Sequence, residues 1–174
     1  MTITTTTHLN FHGDARAALE FYQSVFGGDL TIATYGDFGM PAEAPGAANV
    51  VFGQVVSDAG FRVMAYDIPG EGDRAAEGAG SAESAGSAKS DAGSADPGTR
   101  PAAASTHRAN GVTITDQPFF VSVRGETLAE VEGYWSALAS GATIVEPLAA
   151  SAWSPGFGML TDRFGITWIL DAAA

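Results

Sequence analysis

The chain has 174 residues, 45% of them hydrophobic, enough for one ordinary domain or two very small ones with a real core. Eight Lys plus Arg stand against twenty Asp plus Glu, a net charge of -12, which leaves no electrostatic source for binding a polyanion and argues against nucleic acid as a partner. Zero cysteines exclude disulfides, thiolate metal sites and a cysteine nucleophile, and Lys89 is the sole Schiff-base candidate.

No stretch approaches the ~20 apolar residues a membrane helix needs, and no apolar leader opens the chain, so the expectation is a soluble, cytoplasmic protein without a membrane partner. In chain order, Leu9 and Phe11 alternate with His8, Asn10 and His12, the period of a half-buried strand. Asp14 is placed to cap a helix whose stripe is Ala15, Ala18, Leu19, Tyr22, Val25 and Phe26, and Gly27 and Gly28 stop it. Three extended runs come next, "DLTIATY", "NVVFGQVVS" and "FRVMAYDI", the last two joined by a turn at Asp58, Ala59 and Gly60.

From Gly70 to Asn110 the residues are nearly all Gly, Ala, Ser and small polar types, so residues 70–111 are expected to form a flexible linker between residues 1–69 and 112–174. Within it, "GEGDRA" fits a dinucleotide-binding glycine pattern, but the residues after it offer no apolar helix face to pack on a sheet. Beyond the linker, Phe119, Val121 and Val123 alternate with Phe120 and Ser122 as a strand. Thr127 and Glu130 form a capping box for a helix with Leu128, Val131, Trp135 and Leu138 inward and Gly141 at its end. The runs "ATIVEP", "FGMLT" and "ITWILD" complete the chain, with "DRFG" as the last turn.

The two parts repeat each other. At one constant offset Gly13 lies over Gly125, Tyr22 over Tyr134 and Thr31 over Thr143, and at a second offset "SDAGFRVMAYD" lies over "TDRFGITWILD". The unit is strand, helix, strand, strand, strand, written twice, which predicts an α+β fold of two βαβββ modules with curved, mostly antiparallel sheets.

A doubled βαβββ unit with "DARAALEFYQSVFGG" on the first helix and "GFGMLTDRFGITW" at the final hairpin resembles the vicinal oxygen chelate superfamily of glyoxalase and bleomycin-resistance proteins. The final hairpin is most similar to the PhnB-like, demethylubiquinone methyltransferase-like branch. The resemblance implies two half-barrels whose concave faces form a cleft for a divalent metal or a small ligand, and a homodimer. It also implies metal ligands from the first and last strand of each module. His8 occupies a first-strand ligand position, and the repeat puts Phe120 at its equivalent. A family glutamate would fall at Ile169, which the second offset maps to Ala65; none of Phe120, Ile169 and Ala65 can ligate. Asp67 and Asp171 are one register step away and are expected to be solvated strand ends.

No metal centre and no cofactor are therefore expected, and no methyl-donor loop remains once "GEGDRA" is set aside. The expected site is a small-molecule cleft lined by His8, Gln54, Phe120, Trp153, Phe157, Met159 and Trp168, although Trp168 suits a core equally well. Three functions stay open: a metal-free binding protein or enzyme of unassigned activity, a protein that sequesters a cationic aromatic drug, and a metal-dependent lyase, isomerase or dioxygenase with a non-standard ligand set.

Overall fold

The computed structural model describes residues 3–69 and 106–174; residues 70–105, most of the expected linker, lie outside the described residues. The chain divides into two units, Met1–Gly93 and Ser94–Ala174. The first carries β1 (Thr7–Phe11), α1 (Ala15–Phe26), β2 (Asp29–Thr34), a 3-10 turn (Gly36–Phe38), β3 (Val50–Val56) and β4 (Arg62–Asp67). Its sheet order is β1-β4-β3-β2, with β1 parallel to β4 and the other pairs antiparallel.

The core arises from the two periodicities. Leu9 and Phe11 turn inward from β1, and Ala15, Ala18, Leu19, Tyr22 and Phe26 line the buried side of α1. Gly53 on β3 lies directly under this helix, and a Cβ there would run into the Leu19 side chain. Asp14 makes no side-chain cap. The helix start is held instead by Asp67 at the end of β4, whose Oδ1 accepts from the Gly13 and Ala15 amides at 2.7 and 3.0 Å while Oδ2 accepts from Val50 N at 2.9 Å. Asp67 is buried, in contrast to the expectation of a solvated strand end.

The second unit carries β5 (His107–Ala109), β6 (Val112–Ile114), β7 (Val121–Gly125), α2 (Leu128–Leu138), β8 (Thr143–Ala149), β9 (Phe157–Thr161) and β10 (Thr167–Ala172). The order β7-β10-β9-β8 repeats the first sheet, again with one parallel pair, β7 with β10. The doubled α+β architecture is thus as the sequence predicts. Thr127 caps α2 by accepting from Glu130 N at 3.2 Å, and Glu130 accepts in return from Glu126 N. Val131, Leu138, Leu160, Trp168 and Leu170 form the core.

One boundary differs from expectation. Residues 107–114, read largely as linker, form a separate two-stranded hairpin. Its turn is Asn110-Gly111, both at positive φ (51° and 76°), the geometry that suits a two-residue hairpin. Among the described residues no helix is long and apolar enough to cross a membrane.

Candidate functional site

Residues paired across a sheet share a face, so the register identifies the side chains that each sheet presents on the side away from its helix. In the first unit one row reads His8, Met64, Gln54, Thr31 across β1, β4, β3 and β2. Asn10 pairs with Tyr66 further along the same two strands, and the His8 and Tyr66 rings meet in a T-shaped pair with centroids 5.4 Å apart. His8 and Thr31 are exposed, and Met64, Gln54 and Tyr66 are half-buried. Ala65 pairs with Leu9 and Gly53 and so faces α1.

The second unit repeats this row as Ser122, Ile169, Met159, Glu146 across β7, β10, β9 and β8. The match comes from the closing hairpins, where Ser57 and Asp162 play the same part. Ser57 N donates to Phe61 O and Gly60 N to Ser57 O, while Asp162 N donates to Ile166 O and Gly165 N to Asp162 O. Counting from there, Ile169 corresponds to Met64, not to Ala65 as the sequence offset has it. Thr7 pairs with Val63 as Val121 pairs with Trp168, so His8 corresponds to Ser122 and not to Phe120. Phe120, half-buried just ahead of β7, is on the side of Ser122 by alternation.

Of the remaining expected site residues, Phe157 shares the helix-free face of β9 with Met159, two residues along the strand. Trp153 is 65% exposed on the loop before β9, with its ring edge-on to Phe157 at 5.5 Å. Ser151 and Ser154 order that loop: Ser151 Oγ accepts from Ser154 N at 3.1 Å, and the buried Ser154 Oγ donates to Ala172 O at 2.8 Å. Trp168 is a correction. It is 0% exposed, its face is the helix side, and Nε1 donates to Asp162 Oδ2 at 2.8 Å, so it belongs to the core and lines no ligand face. Asp171, also expected to be solvated, is buried and accepts from Arg124 Nε at 2.7 Å. That hydrogen bond and the opposite charge hold the Arg124 guanidinium above its ordinary pKa.

Sequence reasoning missed Thr31, Met64 and Tyr66, which stand in or beside the His8 row. It also missed the Arg108–Glu146 ion pair, Nε to Oε2 at 2.8 Å. The signal available for Met64 was the glycine pair Gly60 and Gly165, which fixes the hairpin register better than the longer string match does.

The sequence model of the Glyoxalase/Bleomycin resistance protein/Dioxygenase superfamily matches residues 7–170. The chain belongs to this superfamily. Protein PA1353 from Pseudomonas aeruginosa is similar over 99% of this chain and 98% of its own, at 22% identity and a TM-score of 0.65. A putative 3-demethylubiquinone-9 3-methyltransferase, PhnB protein, from Bacillus cereus is 22% identical over 98% and 100% of the two chains, with a TM-score of 0.57. A glyoxylase/bleomycin resistance protein/dioxygenase domain from Frankia sp. EAN1pec reaches 0.55 at 10% identity, over 100% and 99%. These likenesses establish a shared fold. Among curated proteins none matches the chain.

A glyoxalase-type metal centre would draw on the first and last strand of each unit. Those positions hold His8 and Met64 in one unit and Ser122 and Ile169 in the other. Within the first unit an imidazole and a thioether, and within the second a hydroxyl and an alkyl chain, do not supply the nitrogen and carboxylate ligands that a divalent ion needs. Among the described residues no three of His, Cys, Asp and Glu come together to hold a metal. The donor set does not fit the metal.

Proposed function

We propose that this protein is a PhnB-like member of the glyoxalase superfamily that binds a small organic molecule without a divalent metal, on the helix-free face of its first unit. The observation that carries the reading is the His8, Met64, Gln54, Thr31 row, in which a thioether takes the place of the last-strand carboxylate. A ligand lying on Met64 would meet the His8 imidazole on one side and the Gln54 amide on the other, with Tyr66 beside the imidazole. An apolar centre flanked by hydrogen-bonding side chains suits a weakly polar organic ligand with an aromatic part.

Two measurements test this. Dialysis against zinc, nickel and manganese followed by elemental analysis is expected to leave no stoichiometric metal; one equivalent that disappears in His8→Ala would overturn the proposal. NMR titration with a panel of neutral aromatic compounds is expected to move the amides of His8, Gln54, Met64 and Tyr66 together, and Gln54→Ala should weaken the response about tenfold. Shifts confined to other strands would move the site elsewhere.

A further inference from the structure

We propose that the β5–β6 hairpin is a detachable strap, seated on the helix-free face of the second unit's sheet and latched by Arg108. The two units present equivalent rows, yet Gln54 is half-buried while Met159, at the matching position of the second unit, is 2% exposed. The hairpin reaches that residue. Thr113 Oγ1 lies 3.8 Å from Met159 Sδ and accepts from Arg108 Nη1 at 2.9 Å, while Arg108 Nε donates to Glu146, the register partner of Met159.

The seating is polar. Arg108 and Thr113 point toward the sheet, while Val112 and Ile114 are 60% and 48% exposed. A ribbon of two three-residue strands that turns Val112 and Ile114 to solvent gains little from hydrophobic burial, and a partly exposed ion pair is a weak hold. The two ends of the ribbon are joined to each other by the Thr106 and Thr115 hydroxyls at 2.8 Å, and the chain that follows is tied to the β9–β10 turn by Gln117 Nε2, which donates to Gly165 O at 3.0 Å. The ribbon can therefore lift without releasing the sheet beneath it, uncovering the Met159 thioether and the Glu146 carboxylate.

Methionine oxidation reads this directly, because a thioether reacts with peroxide only where peroxide reaches it. Full-length protein, Arg108→Ala and Thr113→Val would be treated with dilute hydrogen peroxide and the sulfoxide at Met159 followed by mass spectrometry, with Met40 and Met64 as internal references. Met159 is expected to oxidise about fivefold faster in both variants, with the references unchanged and the amides of β9 still protected from hydrogen exchange. Unchanged Met159 rates in both variants would overturn the proposal. So would faster oxidation accompanied by loss of β9 protection, since that reports unfolding of the sheet and not release of a strap.

Discussion

Asp67, at the end of β4, joins two other parts of the first unit through one carboxylate: it accepts from the amides of Gly13 and Ala15 at the helix start and of Val50 at the head of β3. Both of its oxygens are engaged by these amides in a buried place. Asp67→Ala would strand those N–H groups and should lower stability by about 2–4 kcal/mol in urea unfolding. Asp67→Asn should be nearly as damaging, because its amide nitrogen would face a backbone donor; a midpoint close to that of the native protein in Asn would sink this account. The role was not legible in sequence. Asp14 stands where a cap belongs, and nothing local says that a residue 52 positions away from Ala15 supplies the acceptor instead. The Ile169 position carried a register error. Its partner was misassigned by one residue, and in a strand one residue is the difference between Met64 on the open face and Ala65 under the helix.

At the scale of elements, the clearest mark of the repeat is a pair of glycines. Gly53 on β3 and Gly158 on β9 occupy matching places, and a Cβ would strike Leu19 at the first and Trp135 at the second. Each glycine sets how closely helix and sheet approach. Gly53→Ala and Gly158→Ala should each cost about 1–3 kcal/mol by overpacking, whereas Gly133→Ala, on the exposed side of α2 with open space around it, should add about 0.5–1 kcal/mol. Chemical unfolding of the three variants checks both signs. Helices and strands were readable because apolar side chains recur at 3.6 or 2 residues. The β5–β6 hairpin was not, since its inward side chains are Arg108 and Thr113 and it comes after a long run of small residues; Asn110-Gly111 was the available sign.

For the whole molecule, two units of one topology carry different faces: His8, Met64 and Gln54 on the first correspond to Ser122, Ile169 and Met159 on the second. The doubled fold was legible from string repeats alone, whereas the difference in side chains between the two faces required the register. We also propose that the chain pairs as a homodimer, as the resemblance to its superfamily implies. Light scattering is expected to give twice the chain's 17.8 kDa, and a monomer at working concentration would refute it.

In each unit the first strand pairs with the last strand of that same unit, β1 with β4 and β7 with β10. During synthesis, every hydrogen-bonded partner of the first sheet has been made once Asp67 leaves the ribosome, before any strand of the second sheet exists. The first core can close co-translationally, and the growing chain then carries one finished sheet while the other is still being translated.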